Sequence, residues 1–308
     1  MLASSIFPLV AYLRRQRPHA LLSVANHTNG AALWAWRLAG VHTRLVIRVS
    51  NHLSRTEQPI PRRRNTLHTL RLWPACLCYA WADQIIAVSQ RVADDVMSIT
   101  GLPAERVRTI YNPVISPELS AQAAEPLEHA WFAPGQPAVI LSVGRLTKQK
   151  DFATLLRAFA RLRAVREARL VILGEGEERP NLIELARQLG ISAEVALLGC
   201  VANPFPYMKQ AAVFVLSSAW EGLPSVLIEA LACGCPVVST NCPGGAAEIL
   251  SNGRYGRLVP VGDDEKLSDA ILAVLAAPPQ RQMLTAGTAR FATDSAVDQY
   301  LEVLLGRI

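Results

Sequence analysis

The sequence predicts an α/β fold built on parallel sheets, and three observations support this prediction. First, short apolar runs of strand length alternate with amphipathic helical stretches along the chain. Second, Gly101, Gly190 and Gly234 each follow a helical stretch, where helices commonly end. Third, glycine and polar residues follow the apolar runs of the second half, where loops leave the carboxyl ends of strands.

The first part of the chain is predicted to hold four strands and three helices. The predicted strands are Ala20–Ala25, Arg44–Val49, Gln84–Val88 and Val107–Tyr111. The predicted helices are Asn29–Ala39, the amphipathic stretch Thr66–Trp81, and Gln90–Thr100 with Ser89 as its N-cap. A polar stretch rich in Pro and Ala, 112–137, is predicted to be a linker.

The pattern is clearer beyond residue 137, where it predicts a doubly wound domain. Its predicted strands are Val139–Val143, Leu170–Leu173, Val195–Leu198, Val213–Leu216 and Pro236–Ser239. Its predicted helices are Asp151–Arg166, Asn181–Leu189 and Ser225–Cys233, and a terminal helix covers Asp294–Leu305. The predicted domains are therefore 1–135 and 136–290, followed by a terminal helical segment, 291–308.

Composition is consistent with two folded domains. The 308 residues are long for a single core, and 51% of them are hydrophobic and 18% charged. Residues 1–112 contain 14 arginines, no lysine and 5 acidic residues, whereas the remainder is slightly acidic. This cationic first part suits anionic lipid, phosphate or nucleic acid, with an ordinary solvated face as the open alternative. Since no nucleic-acid-binding module is present, we do not expect nucleic acid as a partner.

The cysteines and the apolar runs exclude several classes of protein. Six cysteines form neither a CxxC pair nor a zinc spacing, so we expect buried, reduced thiols in a cytoplasmic protein. Charged residues interrupt every apolar run before eighteen residues, so no spanning helix is predicted. The start of the chain has no basic leader before its apolar stretch, so a signal peptide is not expected.

The carboxyl ends of the predicted second-domain strands carry an unusual set of residues. They are Gly144-Arg145, Gly174-Glu175-Gly176, Gly199, Ser217-Ser218 and the loop 241–246. Glycine lets a backbone approach a ligand closely, and ligands of open parallel sheets bind at this edge. The sequence therefore predicts a ligand site there. Gly174-Glu175-Gly176 lacks the third glycine of GxGxxG, which excludes a dinucleotide oxidoreductase.

Glu221 and Glu229 are the most informative pair in this set. Glu221 precedes a predicted helix and Glu229 lies inside it, and the N–H groups of Leu223, Ser225 and Val226 between them suit an anion. Carboxylates accept hydrogen bonds from sugar hydroxyls, and cations at Arg145 and Lys150 suit a diphosphate. This combination describes a nucleotide sugar. The alternative, acidic residues that stabilise the helix dipole, explains Glu221 better than Glu229.

At these residues the chain resembles the retaining glycosyltransferases of GT-B fold, glycosyltransferase family 4 or group 1 type. Glu221 to Glu229 matches their E-x7-E motif, and Gly144-Arg-Leu-Thr-Lys-Gln-Lys150 looks like their donor loop. Leu173-Gly-Glu-Gly-Glu177, Cys235-Pro-Val-Val-Ser-Thr240 and 244–248 also fit the family pattern. The resemblance implies two Rossmann-like domains that face each other across a cleft, with 291–308 crossing back to the first.

The resemblance also implies roles for individual residues. It places the donor diphosphate on Arg145 and Lys150, the ribose on Glu229, the transferred sugar on Glu221, and the base near Val201. Gly222, Leu223, Pro224 and Ser225 complete the implied donor site. It implies transfer of a hexose from a UDP- or GDP-sugar to a saccharide or lipid-linked acceptor in cell-envelope polysaccharide synthesis, with no obligatory metal or other cofactor.

The acceptor side is less well defined. His27, just beyond the first predicted strand, is the candidate catalytic residue by resemblance, with a structural or capping role as the alternative; His52 is the second candidate. Family members begin with a strand and a Gly-rich loop that do not match here, so the first domain is interpreted as shortened. Two further hypotheses therefore stay open: a non-catalytic nucleotide-sugar-binding remnant, and a nucleotide-sugar epimerase on the same fold.

A membrane contact is a further interpretation of the first domain. The stretch Asn65–Trp81 is rich in Leu and Trp, and Arg62-Arg63-Arg64 precedes it. Such a segment could lie on an anionic bilayer, which would make the protein peripheral on the inner face of the cell membrane. An internal helix kinked at Pro74 is the alternative.

Overall fold

A computed structural model describes residues 2–55 and 78–306, without the side chains of residues 2–4, 26, 27 and 55. The chain forms two compact units. The first comprises Met1–Asn112 together with Asp294–Ile308, and the second comprises Pro113–Thr293. Each unit has its own parallel sheet.

The described part of the first unit is a four-stranded parallel sheet with helices. Its elements are α1 (Leu2–Gln16), β1 (Ala20–Ser23), α2 (Asn26–Ala39), β2 (Arg44–Val49), β3 (Gln84–Ala87), α3 (Gln90–Thr100) and β4 (Val107–Thr109). The strands lie in the order β1-β2-β3-β4. All four predicted strands are confirmed to within two residues at each end, whereas α1 was not predicted. The predicted helix Thr66–Trp81 falls mainly outside the described residues.

The two faces of this sheet are covered by different helices. On one face Leu21 packs with Val10 and Leu13 of α1 and with Ala35 of α2. Its neighbour along the strand, Leu22, belongs to a separate cluster. That cluster contains Val46, Ile86, Ile110, Tyr300, Val303 and Leu304, the last three from the C-terminal helix Thr293–Leu305. Alternation along β1 thus separates the paired helices α1 and α2 from the C-terminal helix.

The second unit is a six-stranded parallel sheet with helices between the strands. Its strands are β5 (Ala138–Val143), β6 (Ala168–Leu173), β7 (Val195–Gly199), β8 (Val213–Leu216), β9 (Val237–Thr240) and β10 (Arg257–Val259). Its helices are α4 (Leu119–Gln122), α5 (Phe152–Arg163), α6 (Arg179–Gln188), α7 (Phe205–Gln210), α8 (Ser225–Ala232), α9 (Ala246–Ile249), α10 (Asp264–Ala276) and α11 (Arg281–Ala286). The strand order is β10-β9-β8-β5-β6-β7. The five predicted strands are confirmed, whereas β10 and the helices α4, α7, α9, α10 and α11 were not predicted.

Helix α5 shows how the local sequence sets these elements. Asp151, predicted as its first residue, is instead its N-cap, and its carboxylate accepts hydrogen bonds from the backbone N–H and the hydroxyl of Thr154. Leu155 and Phe159, one turn apart, are fully buried against the sheet. The cap fixes where α5 begins, and therefore where the loop between β5 and α5 must end.

The predicted linker 112–137 is wrong for most of its length, because these residues pack on the second unit. The guanidinium of Arg169 lies 5.0 Å from the centre of the Trp131 ring. The Asn203 side-chain amide donates to the carbonyl of Gln122 at 2.9 Å. Aromatic and polar side chains within the Pro- and Ala-rich composition therefore attach the segment to β6 and to the loop before α7.

The cysteines are mostly as predicted. Cys78, Cys233, Cys235 and Cys242 are buried free thiols, but Cys200 is exposed, which corrects the prediction for that residue, and Cys76 lies outside the described residues. Burial, with a smaller contribution from the charge of Glu221, raises the pKa of Cys242 to about 11. This thiol therefore stays protonated at neutral pH. None of the described helices is both long enough and apolar enough to cross a bilayer.

Candidate functional site

The strand order of the second unit brings three loops together. β5 pairs with β8 on one side and with β6 on the other, in parallel. The loops 144–150 after β5, 174–178 after β6 and 217–224 after β8 therefore leave the same edge of the sheet. The adjacency of β5 and β8 is a result of topology, since about 70 residues separate them in sequence.

Lys150 and Glu221 meet between two of these loops. Nζ of Lys150 lies 2.6 Å from Oε1 of Glu221, and the Ser218 hydroxyl donates to the same oxygen at 2.6 Å. Only 13% of the lysine side chain and 8% of the glutamate side chain are exposed. Charge-assisted hydrogen bonds are strong in such shielded surroundings. The Glu221 carboxylate is therefore held by a cation and a hydroxyl, in addition to any interaction with the dipole of the following helix.

Backbone and side-chain hydrogen bonds hold the two loops in register around this ion pair. The Gln149 side-chain amide donates to the carbonyl of Trp220 at 2.9 Å, and the N–H of Ala219 donates to the carbonyl of Gln149 at 2.8 Å. The Ser217 hydroxyl donates to the carbonyl of Lys150 at 2.8 Å. These bonds fix the backbone on both sides of the ion pair, so Lys150 and Glu221 lose little further freedom when they pair.

Two of the glycines at this edge, Gly174 and Gly244, lie in close contact with the backbone of a neighbouring loop. A Cβ on Gly174 would lie 1.9 Å from the carbonyl oxygen of Gly144, and a Cβ on Gly244 would lie 2.1 Å from that of Glu221. Both glycines also have strongly positive φ angles. At these two positions glycine is required because one loop backbone rests on another, so the loops that carry the charged residues are closely packed.

Gly244→Ala is expected to destabilise the second unit by more than the roughly 1–3 kcal/mol that a strained φ alone costs, because the new Cβ must displace the Glu221 backbone. Gly253→Ala is the matched control, since its φ of +103° is also positive but no heavy atom lies within 4 Å of the added Cβ. Denaturant unfolding of both variants checks this. Equal losses of stability would contradict the role given to loop contact.

The first turn of α8 carries backbone N–H groups that no carbonyl of the helix itself can accept from. Pro224 occupies the N-cap position and provides no side-chain cap. The N–H groups of Ser225 and Val226 have no helical carbonyl to bond, and the positive end of the helix dipole adds to their field. Gly222, Leu223 and Pro224 are buried, whereas Ser225 is half-buried. The helix therefore begins with donors suited to an anion, four residues after Glu221.

Glu229 is the fifth residue of α8 and is partly buried. Within the described part of the chain its carboxylate has neither an ion pair nor a hydrogen-bond partner. Burial raises the pKa of this carboxyl above the ordinary value for glutamate. An unpaired, partly buried carboxylate is unfavourable for folding, and this one is free to accept hydrogen bonds within the described part of the chain.

Two other predicted donor residues, Arg145 and Val201, also follow strands of this sheet but differ in exposure. Arg145 follows β5 and is exposed, and Val201 follows β7 and is half-buried. In the loop between β6 and α6, Glu175 forms an ion pair of 2.8 Å with Arg179, whose guanidinium also donates to the carbonyl of Leu197 in β7.

The described residues contain no group of three or more His, Cys, Asp or Glu side chains placed to hold a metal ion.

Of the two candidate histidines, His27 and His52, only His52 has a side chain within the described part of the structure. His27 is the second residue of α2, and its side chain lies outside the described part. Nδ1 of His52 lies 3.5 Å from Oδ1 of Asp95, and Nε2 of His52 is buried without a hydrogen-bond partner among the described residues. Burial raises the pKa of Asp95, but hydrogen bonds from His52, Ser54 and Leu53 outweigh it and the net pKa is lowered. Asp95 thus holds the His52 ring in one orientation.

Sequence reasoning placed Ser218 at this edge of the sheet but did not predict its contact with Glu221, and it assigned no role to Gln149. Ser218 is fully buried, its hydroxyl binds Glu221, and its carbonyl accepts from the hydroxyl of Thr240 at 2.6 Å. Gln149 joins the lysine loop to the glutamate loop. The spacing Ser218-x-x-Glu221 was the available signal for Ser218, because a hydroxyl three residues before a carboxylate can reach it across a tight turn.

Ser218→Ala is expected to cost about 1.5–3 kcal/mol of unfolding free energy, because it removes a buried hydrogen bond to a charged oxygen. The same change in a Glu221→Gln background is expected to cost about half as much, since the acceptor is then neutral. Ser217→Ala, which removes a hydrogen bond to a neutral carbonyl, is the control in both backgrounds. If Ser218→Ala costs the same in the wild type and in the Glu221→Gln background, the hydroxyl does not act on the carboxylate.

Two models of glycosyltransferase families match this chain. The model of "Glycosyl transferases group 1" matches residues 125–290, more than half of the chain, and the model of "Glycosyltransferase Family 4" matches residues 1–115. The chain belongs to the group 1 glycosyltransferases. The resemblance stated from Glu221, Glu229 and the loop 144–150 is thus confirmed at the level of the family.

Individual relatives of this group 1 chain agree. It is 33% identical over 251 residues to an N-acetylgalactosamine-N,N'-diacetylbacillosaminyl-diphospho-undecaprenol 4-alpha-N-acetylgalactosaminyltransferase of Campylobacter jejuni, covering 81% of this chain and 65% of that protein. It is 36% identical over 179 residues to the lipopolysaccharide core biosynthesis glycosyltransferase LpsE of Rhizobium meliloti, covering 56% of this chain and 52% of that protein. The match therefore spans between half and two thirds of these relatives.

Solved structures show the same fold. Anabaena Alr3699/HepE in complex with UDP-glucose superposes with a TM-score of 0.78 at 21% identity, over 98% of this chain and 82% of that one. The apo lipopolysaccharide outer core galactosyltransferase WaaB gives a TM-score of 0.72 at 21% identity, over 100% of this chain and 80% of that one. Both units of the group 1 chain therefore have the Rossmann-like architecture of the GT-B fold.

Proposed function

We propose that the second unit binds a nucleoside-diphosphate sugar and that the protein transfers a hexose from it, with retention, to a saccharide or lipid-linked acceptor. The observation that carries this proposal is the shielded Lys150–Glu221 pair beside the open first turn of α8, with the unpartnered Glu229 in the same helix. Together they offer cation, amide donors and two carboxylates. A nucleotide sugar has the complementary groups, a diphosphate and two sets of hydroxyls.

Each predicted donor residue has a role in this proposal. The diphosphate binds the N–H groups of Ser225 and Val226 and the side chains of Arg145 and Lys150. Glu229 accepts hydrogen bonds from the ribose, and Glu221 accepts from the transferred sugar. Gly222, Leu223 and Pro224 shape the wall between Glu221 and α8, and Val201 contacts the base. On the acceptor side His27 is the proposed catalytic residue.

The chemistry follows from where charge develops. As the bond from the anomeric carbon to the phosphate oxygen breaks, the leaving nucleoside diphosphate gains negative charge. Because Lys150 is paired with Glu221, part of its positive charge is already neutralised. Arg145 and the first turn of α8 therefore supply the rest of the positive charge that stabilises the leaving group. Groups fixed in this way stabilise the transition state more than the bound donor. We propose that they suffice and that no metal is required.

The names of relatives support the donor and acceptor classes. A solved structure of the same fold holds UDP-glucose, and another holds UDP and glucose. The Campylobacter jejuni relative is named for an acceptor linked to diphospho-undecaprenol. We therefore propose UDP-hexose as the first donor to test and a lipid-linked saccharide as the first acceptor class.

Donor binding and turnover by the purified protein test this proposal. Calorimetry with UDP- and GDP-sugars is expected to show binding to the wild type that Arg145→Ala weakens, and labelled sugar is expected to reach an acceptor with or without a chelator. Binding without turnover would favour the non-catalytic remnant, and a changed sugar without an acceptor would favour the epimerase. Absence of binding to every nucleotide sugar would refute the donor site itself.

A further inference from the structure

Arg48 places a positive charge on an apolar face of the first-unit sheet. It is the fifth residue of β2, and Val46, which lies on the same side of that strand, packs with Tyr300 and Val303 of the C-terminal helix. Arg48 is half-buried there. A cation that is withdrawn from water is costly unless an anion compensates for it, so the partners of Arg48 are informative.

The described partners of the Arg48 guanidinium are all uncharged groups. It donates to the Ser50 hydroxyl at 3.2 Å and to the side-chain oxygen of Asn112, and it also bonds the Tyr300 hydroxyl. Burial raises the pKa of Tyr300, although the charge and the hydrogen bond of Arg48 act to lower it, so this phenol stays neutral at physiological pH. Within the described part of the chain, the charge of Arg48 is therefore hydrogen-bonded but not neutralised.

Further hydrogen bonds fix the backbone from which this guanidinium extends. The side-chain amide of Asn29, a fully buried residue, donates to the Arg48 carbonyl at 3.0 Å, and the Asn29 side-chain oxygen accepts from the Ser23 hydroxyl at 2.7 Å. The Ser50 hydroxyl donates in turn to the carbonyl of Val24 at 3.2 Å. Because the end of β2 is tied to the end of β1, the cation is held in position before a ligand binds.

These groups lie at the edge of the sheet where ligands of parallel sheets bind. Ser50 follows β2 and Asn112 follows β4, so both lie at the carboxyl ends of their strands, as His27 does after β1. A guanidinium has five N–H groups, and the three acceptors described for Arg48 leave N–H groups for a further oxygen. Phosphate oxygens fit this planar set of donors well.

We propose that Arg48 binds a phosphate of the acceptor, and that the acceptor is a saccharide linked through phosphate or diphosphate. The proposal rests on the proposed transfer function and adds the chemical class of the group that carries the acceptor sugar. The donor diphosphate does not need this cation, since the proposed donor groups all belong to the second unit. The alternative is that Arg48 only ties β2 to Asn112 and to the C-terminal helix. The proposal does not depend on the membrane contact predicted for 65–81, most of which lies outside the described residues.

Two matched probes test this proposal with the full chain. The charged probe is a hexosyl diphosphate ester of a short alkyl alcohol, and the neutral probe is the same hexose joined to that chain without phosphate. Calorimetry in saturating UDP, so that the proposed donor site is occupied, is expected to show that the wild type binds the charged probe about 10- to 100-fold more tightly. Arg48→Gln is expected to remove most of this preference and to leave affinity for the neutral probe within about twofold. Arg48→Lys should retain part of the preference, because it keeps the charge but loses the planar donors.

Asn112→Asp separates a ligand-binding cation from a structural one, and it decides the question even if Arg48→Gln does not fold. The new carboxylate would neutralise Arg48 in place. Affinity for the charged probe is therefore expected to fall at least about 10-fold, while the unfolding temperature is retained or raised. If Arg48 is only structural, the same change leaves affinity for the charged probe unaltered. Arg15→Gln, which changes an exposed arginine of the same unit, is the control and should leave both affinities within about twofold.

Several outcomes would overturn the proposal. They are equal affinity of the wild type for the two probes, equal loss of both affinities in Arg48→Gln, and unchanged affinity for the charged probe in Asn112→Asp. A hexuronide on the same alkyl chain that binds as tightly as the charged probe would also overturn it, since a sugar carboxylate would then suffice.

Failure of the proposed transfer has a different signature. A preference for the charged probe that depends on Arg48, without transfer of sugar to that probe, would contradict the proposed transfer but not the phosphate site. Transfer to the neutral probe with the same KM as to the charged probe would refute the phosphate site alone.

Discussion

Replacing Lys150 by methionine is expected to lower the unfolding temperature of the second unit by about 6–12 °C, equivalent to about 3 kcal/mol. Methionine retains much of the aliphatic stem but removes the cation, so the Glu221 carboxylate, 8% exposed, loses the partner 2.6 Å away. A buried charge left without its partner is costly even when the original pair contributed little net stability. Thermal unfolding followed by circular dichroism measures the shift.

The double variant Lys150→Met with Glu221→Gln separates stability from function. Without the orphaned carboxylate, we expect most of the lost unfolding temperature to return, because a neutral amide can still accept from Ser218. Sugar transfer is expected to stay at least about 100-fold below that of the wild type, because a fixed cation and the carboxylate for the sugar are both absent. Transfer that recovers together with stability would show that the pair is only structural.

Lys148→Met is the matched control for both measurements. Lys148 lies two residues away in the same loop and is exposed, so its charge is solvated and the loop should fold as before. We expect its unfolding temperature and its transfer rate to stay close to those of the wild type. A loss in Lys148→Met as large as that in Lys150→Met would mean that the total charge of the loop, rather than the Lys150–Glu221 pair, is what matters.

The fold could be predicted from the sequence because its strands are short apolar runs with clear boundaries. Helix α1 was missed because Pro8 lies inside it and it has no acidic first turn, both of which argue against a helix. The stretch 113–137 was misjudged because composition alone cannot show that Trp131 has a cation partner in Arg169. In both cases a tertiary contact outweighs the local signal.

The site could be predicted only in part, for a related reason. Motif spacing identified Lys150 and Glu221 as candidates, but their contact arises because β5 pairs with β8, and strand order is not encoded in local patterns. Ser218 was placed at the correct edge of the sheet, but its hydrogen bond to Glu221 could not be predicted, because the sequence does not show where a serine hydroxyl points. The glycines were predicted to allow close approach of a ligand, whereas the contact that the structure shows for Gly174 and Gly244 is with the backbone of a neighbouring loop.

Glu229→Gln is expected to raise stability and to lower donor affinity at the same time. Burial raises the pKa of Glu229, and no cation or donor in the described residues offsets it. A carboxyl whose pKa is raised in the folded state favours folding while it is protonated, and this advantage is lost as the pH rises from its ordinary pKa through the folded value. Above that range the ionised carboxylate is a penalty that glutamine, of nearly the same shape, does not carry.

Unfolding temperatures measured against pH, with and without donor, test both halves of this prediction. Without donor, Glu229→Gln is expected to unfold at a higher temperature than the wild type at pH 8. The advantage should vanish below the ordinary pKa of glutamate, about 4.3. With UDP-sugar at pH 8 the order of unfolding temperatures is expected to reverse, because the wild type alone offers a charged acceptor to the ribose. Calorimetry should show that Glu229→Gln reduces donor affinity about 10- to 100-fold.

Glu167→Gln, which changes an exposed acid of the same unit, is the control and should show neither effect. A variant that binds the donor as tightly as the wild type would leave the buried charge of Glu229 without a function, and the ribose role would have to be withdrawn.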